Sequence, residues 1–316
     1  MNTDMKKTLL LLLPVLFLFI GCRDKDDPQN TEAVLRVKFR FDPDQERLNN
    51  LGNPATIPAG NAGQTPTFRG LSGHFIELLS TELTPYQGGE ELYSGPEVPA
   101  SNNNPFGFTT AINFDSAIVA GSGETFIEVP LSSIAPGTYR HLRISVSYQS
   151  YDVNFNLLNV PSFGDLNNQS GTVASFLGYN QYLSEFTVRD ANFTVNDAVL
   201  QGFWAFETDL TSPYDLYNTI FSGQSPSEAT TVVNPFPNNP IPQGSCVVSG
   251  SMDQDLVING DETEDIEMTL SFSIDRSFEW VDNNGNGEWD IDADNSSNSE
   301  SVVDMGLRGL QVLVGQ

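Results

Sequence analysis

The sequence predicts an all-β fold, a mostly antiparallel β-sandwich with long loops, and three observations lead to this prediction. Apolar and polar residues alternate with a period of two in several segments, as in strands that bury one face. No segment of helical length shows a clean period of 3.6 residues. Stretches rich in Asn, Pro, Gly and Thr separate the alternating segments, which is typical of strands joined by turns and loops.

The alternation is clearest in residues 35–41, 142–148 and 266–274. In the first of these segments Leu35 and Val37 begin an apolar face, and basic residues occupy the positions between them. The other segments that we expect to form strands are 74–83, 125–131, 199–207, 246–252 and 305–314.

Three connections between the predicted strands are unusually long, at residues 42–72, 84–111 and 211–244. Loops of more than about 15 residues without structure are uncommon in compact domains unless they serve a function. Binding surfaces often lie on loops that a rigid scaffold carries. The sequence leaves open whether these loops bind something or simply elaborate a large surface domain.

Residues 1–21 resemble a secretory signal peptide. Basic residues precede the apolar run 9–20, which is too short to span a bilayer, since spanning takes roughly 20 residues. The sequence that ends at Gly21 and Cys22 resembles a bacterial lipobox. This resemblance implies that Cys22 is lipidated and becomes the first residue of the mature chain. We therefore expect a polar, lipidated tether at 22–32 and the sandwich domain at 33–316.

An acidic segment follows the predicted lipid anchor, and Lys25, Asp26 and Asp27 in it resemble the lipoprotein export signal of Bacteroidota. The resemblance implies a protein that is lipid-anchored in the outer membrane and faces the cell exterior. A solvated tether without a sorting role is the alternative interpretation.

The chain is strongly acidic, with 41 Asp and Glu against 14 Lys and Arg and a formal net charge of −27. Such a chain repels nucleic acid and anionic lipid, so we expect no nucleic-acid partner. The acids concentrate between Asp253 and Asp304, where Arg276 is the one basic residue. A solvated acidic face explains this part of the sequence as well as cation binding does.

The sharpest local motif is a calcium-type loop at 282–294. Its candidate metal ligands are Asp282, Asn284, Asn286, Glu288 through its backbone carbonyl, Asp290 and Asp294. Oxygen-bearing side chains at alternate positions can converge on one calcium ion, and Gly287 permits the sharp turn between them. An EF-hand has Glu at the twelfth position, where this chain has Ala293, so Asp292 or Asp294 must supply the last ligand. A hairpin turn is the alternative, because Asn-Gly pairs also favour turns.

The sequence lacks the spacing of the common catalytic motifs, namely a zinc-binding H-E-x-x-H, a nucleophile elbow and a Walker loop. The two histidines, His74 and His141, lie inside predicted strands. Lipidation of Cys22 would leave Cys246 without a disulfide partner, and we expect Cys246 to be a buried thiol. We therefore expect a protein that is not an enzyme.

A dispersed set of segments resembles the MbnP-like domain, the fold of a periplasmic copper-binding protein associated with methanobactin. The segments are "LRVKFRF", "LSGHFIELLSTEL", "INFD", "VPLSSIAPGTYRHLRISVSY", "GFWAF" and "EMTLSFSIDRSFEW". The resemblance covers most of residues 34–280 and implies a copper site formed by His and a modified Trp. Trp204 and His74 are the positions that match such a site.

Together these observations predict a surface-exposed outer-membrane lipoprotein that acts as a calcium-stabilised, non-enzymatic binding or accessory subunit of an outer-membrane protein complex. The expected partners are an outer-membrane barrel or other surface lipoproteins, with the membrane held through the lipid anchor. Two alternatives are an MbnP-like copper-binding protein and a glycan-binding or glycan-active surface protein.

Overall fold

The chain folds almost entirely into β-strands in a computed structural model, which describes residues 32–49, 53–100, 107–225 and 246–315. The strands are β1 Val34–Asp42, β2 Asn61–Gln64, β3 Thr67–Leu79, β4 Glu90–Ser94, β5 Glu97–Pro99, β6 Thr110–Asn113, β7 Thr125–Pro130, β8 Gly137–Val160, β9 Gly164–Phe176, β10 Asn180–Thr187, β11 Asn192–Leu200, β12 Phe203–Asp209, β13 Ile220–Gln224, β14 Cys246–Ile258, β15 Ile266–Ser273, β16 Phe278–Val281, β17 Asp290–Asp292, β18 Val302–Met305 and β19 Leu310–Val314. Within the described ranges the helical elements are short 3₁₀ turns. The predicted all-β fold is confirmed.

The strands form one large sheet and two small ones within the described part of the chain. The large sheet has the order β13-β12-β9-β8-β14-β19-β15-β1-β7, with β3, β4 and β17 attached beside this path. The small sheets have the orders β11-β10-β6-β5 and β18-β16-β2. Most pairings are antiparallel, as predicted, and the parallel ones are β1–β15, β6–β10, β8–β17 and β14–β19.

Strand β8 is a central strand of the large sheet and pairs with other strands along both of its edges. Along one edge it pairs with β14 through residues 137–146 and then with β9 through residues 148–160. Along the other edge it pairs with β3 up to Asp152, and β17 continues that edge at residues 156–158. The far end of β8 therefore carries β9 on one side and the short strand β17 on the other.

The clearest alternating segments lie in strands, as the sequence predicts. In β1 the side chains of Leu35, Val37 and Phe39 are buried, and those of Arg36 and Lys38 are half-exposed. Burial of such side chains is the main stabilising contribution, at about 1.5–3 kcal/mol for each large apolar residue.

Two predicted strands are each divided in the structure. Segment 199–207 is split between β11 and β12, because Gly202 turns the chain with a φ of +87°. Segment 305–314 is split between β18 and β19, and Gly309 between them has a φ of +88°. Glycine adopts these left-handed conformations without the steric cost that a Cβ atom brings. A glycine can therefore end one strand and begin another inside a segment whose apolar pattern predicts a single strand.

Strands β9 and β10 are absent from the sequence-based prediction. The second half of β9 is buried at every position, including small and polar residues such as Thr172 and Ser175. A strand that is covered on both faces need not alternate between apolar and polar residues. Periodicity therefore could not find it.

The long predicted connections contain secondary structure. Segment 42–72 includes β2 and the start of β3, and segment 84–111 includes β4, β5 and the start of β6. Segment 211–244 includes a 3₁₀ turn at Asp215–Tyr217 and then β13. Residues 226–245 lie outside the described part of the chain.

Three clusters of buried apolar side chains form the core. The first and largest lies between β1, β3, β8, β14, β15 and β19. The second, which we call the aromatic cluster, consists of Tyr151, Val153, Phe155, Val173, Phe206, Leu210, Phe278, Trp280 and Trp289. The third lies between β9, β10 and β12. Cys246 packs against the first cluster, and burial of its thiol raises its pKa to about 12.

The predicted signal peptide, Cys22, and the export-signal residues Lys25, Asp26 and Asp27 lie outside the described residues. Glu32–Gln316 forms a compact unit by itself. In the described part of the chain, no helix is both long enough and apolar enough to cross a bilayer.

Candidate calcium loop and the adjoining pocket

The calcium-type loop joins β16 to β17 and lies at the far end of β8. Strand β17 pairs in parallel with residues 156–158 of β8, so this short strand attaches the loop to β8. The backbone N–H of Asn156 donates to the carbonyl of Trp289 over 2.8 Å, immediately before this pairing. The loop therefore lies between two strands and not between the two helices of an EF-hand.

Asp282 organises the first half of the loop. Its Oδ1 accepts the N–H of Gly285 over 2.8 Å, and its Oδ2 accepts the N–H of Gly287 over 3.0 Å. Both glycines have positive φ, +73° and +75°, which a side chain would strain. The sequence Asn-Gly-Asn-Gly therefore wraps the loop backbone around the carboxylate of Asp282.

Asp290 is the residue on which the polar side chains of the loop converge. Its Oδ2 accepts the side-chain amides of Asn284 over 2.7 Å and Asn286 over 3.0 Å. Its Oδ1 accepts the amide of Asn156 over 2.8 Å. Asp290 is only 5% exposed, and no basic side chain pairs with it among the described residues. The structure therefore brings three predicted ligands together around a buried carboxylate.

Glu300 closes the loop and is a site residue that sequence reasoning missed. It is buried, and its two carboxylate oxygens accept the N–H groups of Asn283 over 2.8 Å and Asp290 over 3.0 Å. Its burial and the negative charges of Asp290 and Asp282 raise its pKa. Because Glu300 follows Asp290 by ten residues, beyond the span of the motif, no spacing rule points to it.

Asp292 and Asp294, the expected sources of the last ligand, are placed differently. Asp292 is buried and accepts hydrogen bonds from the backbone of Asp294 and Asn295 and from the side chains of Asn159 and Asn298. The bonds from Asn295 and Asn298 are the main cause of its lowered pKa. Asp294 is exposed, and no contact in the described structure brings its side chain to Asp290. The position beside Asp290 belongs to Glu300.

A pocket of about 270 Å³ adjoins the loop, where β2 and β16 approach the far end of β8. It is lined by Gln64, Asn154, Phe155, Asn156, Asn168, Trp280, Gly287, Glu288 and Trp289. Three of the lining residues belong to the aromatic cluster, and four carry side-chain amides. The amide of Asn156 donates to Glu288 Oε2 over 2.7 Å as well as to Asp290, so it connects the pocket with the loop.

Exposed aromatic side chains lie near the tip of the β8–β9 hairpin. Phe163, at the tip, is centred 5.2 Å from Tyr214 and 5.5 Å from Tyr217. Tyr214 also packs against the aromatic cluster. Leu216 beside them is 88% exposed, and Phe221 on β13 is exposed as well. Large exposed apolar side chains in one region are typical of binding surfaces.

The two predicted copper residues have separate surroundings. His74 Nε2 lies 3.1 Å from Glu97 Oε1, which also accepts the hydroxyl of Tyr179 over 2.6 Å. Trp204 lies on β12, packs against the aromatic cluster and covers Gly223 on β13. No described contact joins His74 to Trp204.

The oxygen donors around Asp290 suit a hard divalent cation, because calcium takes carboxylate, carboxamide and backbone oxygens. Within the described residues, no group of three or more His, Cys, Asp or Glu side chains is placed to hold a metal ion. A cation at this loop would therefore need oxygens from Asn284, Asn286 or the backbone in addition to the carboxylates.

No family model, no curated protein and no solved structure matches this chain. The resemblance to the MbnP-like domain and to Bacteroidota surface lipoproteins accordingly stays a prediction.

Proposed function

We propose that this protein is a calcium-stabilised, non-enzymatic binding or accessory subunit, held by a lipid on Cys22 at the outer surface of the outer membrane. The observation that carries the calcium part is the buried carboxylate of Asp290, which has amide partners but no basic partner in the described structure. A buried charge is costly unless an opposite charge or a metal ion compensates it.

Like charges strengthen this argument. Besides burial, the negative charges of Asp290 and Asp282 raise the pKa of Glu300, so each of them repels the Glu300 carboxylate. A divalent cation would replace this repulsion with attraction. Asp282 and Asp290 would hold it, together with the backbone carbonyl of Glu288.

The carboxamides of Asn284 and Asn286 can complete the ligand set. Each currently presents its nitrogen to Asp290, while its oxygen accepts a backbone N–H two residues further on. Rotation of the carboxamide would offer its oxygen to the cation. Because the ion binds only the folded loop, it would stabilise the attachment of β17 to β8 by mass action.

The test is a thermal melt in chelator and in millimolar calcium, with elemental analysis of the purified protein. Extracellular calcium modules bind with a Kd of about 10⁻⁴ to 10⁻³ M, so we expect the melting temperature to rise by a few degrees. Asp282→Ala combined with Asp290→Ala should abolish this rise while the rest of the domain stays folded.

The matched control removes the same two charges elsewhere in the acidic region. Asp261 and Glu264 are exposed and lie outside the loop, so Asp261→Ala combined with Glu264→Ala should leave the calcium response intact. A wild-type melt that ignores calcium, together with an absence of bound metal, would reduce the loop to a hairpin turn. An equal loss in both double variants would indicate general charge screening.

The accessory role predicts a partner in the membrane. Purification from native membranes in mild detergent should recover an outer-membrane barrel or another surface lipoprotein together with this chain. A screen of the pure protein against glycans, esters and peptides should show no turnover. Robust hydrolysis by a preparation free of contaminants would contradict the non-enzymatic role.

Glycan binding is the second candidate function, and the exposed aromatic side chains favour it. Phe163, Tyr214 and Tyr217 present rings on neighbouring loops at the same end of β8 as the pocket. Aromatic rings combine an apolar face with little conformational freedom, which suits the C–H faces of sugar rings. For the copper-binding alternative, the surroundings of His74 and Trp204 supply no comparable observation.

A further inference from the structure

We infer that the pocket beside the calcium-type loop binds one neutral, polyhydroxylated ligand, a single sugar residue of a glycan. The inference rests on the proposed function, because it names the class of ligand that the proposed binding domain would take. It depends on three features of the pocket lining, namely side-chain amides that can donate and accept hydrogen bonds, aromatic side chains, and the carboxylate of Glu288.

Unused polar groups are the first observation. The side-chain amides of Asn154 and Asn168 line the pocket and make no hydrogen bond to another described residue. Each amide can offer a ligand both a donor and an acceptor.

The rest of the lining is held in place, so the pocket is formed before any ligand enters. The amide of Gln64 bonds to the backbone of Asn154 through both its atoms, over 2.7 and 2.8 Å. Asn156 accepts the backbone N–H of Asn168 and donates to Glu288. Trp289 donates its indole N–H to the carbonyl of Glu300 over 3.2 Å. A preformed pocket reduces the entropic cost of binding.

The chemistry of the lining selects the ligand class. The carboxylate of Glu288 disfavours an anion, and no basic side chain pairs with it among the described residues. A quaternary ammonium ion without a hydroxyl group has no acceptor for the NH₂ groups of Asn154 and Asn168. A hydroxyl group both donates and accepts, so a polyol can satisfy the amides and the carboxylate together.

The size of the pocket limits the ligand to one residue. Its volume of about 270 Å³ lies just below the lower end of the range for small-molecule sites, roughly 300 Å³. A longer glycan would extend beyond the pocket. We therefore expect a single sugar ring inside and weak affinity for it alone.

The test uses tryptophan fluorescence, because two of the three tryptophans, Trp280 and Trp289, line the pocket. The full chain carrying Trp204→Phe, which removes the third tryptophan, is titrated with millimolar glucose, galactose, mannose and N-acetylglucosamine. Tetramethylammonium and inorganic phosphate are the comparison ligands. We expect a saturable change with at least one sugar and none with tetramethylammonium or phosphate.

Variants of the lining residues test whether the fluorescence change comes from binding in the pocket. Asn154→Ala should weaken sugar binding about tenfold, since it removes one hydrogen-bonding group. Asn168→Gly should do the same and tolerates the φ of +53° at that position. Asn167→Ala is the matched control, because Asn167 is exposed and does not line the pocket. Melting curves establish that each variant is folded.

Repeating the titrations in calcium and in chelator separates this inference from the proposed function. A calcium-dependent melt without any saturable sugar signal would overturn the sugar site and leave calcium binding in place. Sugar binding with a melt that ignores calcium would support the site and contradict the calcium role. A saturable response to tetramethylammonium or phosphate alone would overturn the assignment of ligand class.

Discussion

Asn156 donates its side-chain amide to Asp290 Oδ1 over 2.8 Å, across 134 residues of sequence. The same amide donates to Glu288 Oε2, and the oxygen of Asn156 accepts the N–H of Asn168 over 2.9 Å. One strand residue therefore connects the calcium-type loop, the wall of the pocket and the neighbouring strand β9. We therefore expect changes at Asn156 to affect both the stability of the loop and the proposed binding in the pocket.

Replacement of Asn156 should loosen the loop. Asn156→Ala leaves the buried Asp290 without one of its three amide donors, which we expect to lower the free energy of unfolding by about 1–3 kcal/mol. Hydrogen exchange measured by mass spectrometry should show lower protection of residues 282–294. Asn154→Ala, two positions along β8, is the control and should change stability by less than about 0.5 kcal/mol. Equal effects of the two variants would contradict this role of Asn156.

A buried ion pair should fix the segment that follows β3. Arg143 and Glu77 are fully buried, with Nη1 2.6 Å from Oε1, and Arg143 also donates to the carbonyls of Thr84 and Pro85. Arg143→Met would leave Glu77 buried without its cation, at a cost of about 3–5 kcal/mol. Denaturant unfolding measures this cost.

The control for this prediction is Arg140→Met on the same strand. The ion pair of Arg140 with Asp255 is exposed, so its loss should cost less than about 1 kcal/mol. An Arg143→Met variant as stable as the Arg140→Met variant would show that the buried pair contributes little.

His74 should make stability depend on pH. Burial lowers the pKa of His74 below its ordinary value of 6.5, against the opposing effect of Glu97. Between the folded pKa and 6.5 the unfolded chain binds more protons, so this contribution is fully present above pH 6.5. It is lost as the pH falls through the folded pKa.

The measurement is the melting temperature between pH 7 and pH 5 at a fixed calcium concentration. His74→Gln should flatten the fall in melting temperature toward low pH, because the titrating group is gone. His141→Gln removes the other histidine of the chain and is the matched comparison. A wild-type slope in the His74→Gln variant would refute the prediction.

The predicted lipid anchor and export signal can be tested by changing the N-terminal residues. Cys22→Ala should release the protein from membranes if Cys22 is the lipid attachment site, as we propose. Replacing Lys25, Asp26 and Asp27 by alanine should leave it membrane-bound but protected from protease added to intact cells. A triple variant that stays protease-accessible would show that these three residues are not an export signal.

Much of the fold follows from local chemistry in the sequence. Period-two alternation predicted strands with one buried face at β1 and β15, and the structure confirms both strands. The single buried face holds in β1, whereas in β15 the polar residues Ser271 and Ser273 are buried as well. Strand β9 could not be found in this way, since it is covered on both faces and carries buried polar residues. Its position depends on pairing with β8, which precedes it across a short turn, and with β12, which follows much later in the sequence.

The candidate site divides in the same manner. The loop could be predicted from local sequence, because Asp282 and the Asn-Gly repeats after it specify hydrogen bonds and turns over a few residues. The surroundings of Asp290 depend on tertiary contacts, since the chain returns to bring Glu300 to it and the pairing of β17 with β8 brings Asn156. Spacing rules describe neighbours along a chain, whereas a buried carboxylate obtains its partners from whichever strands pack around it.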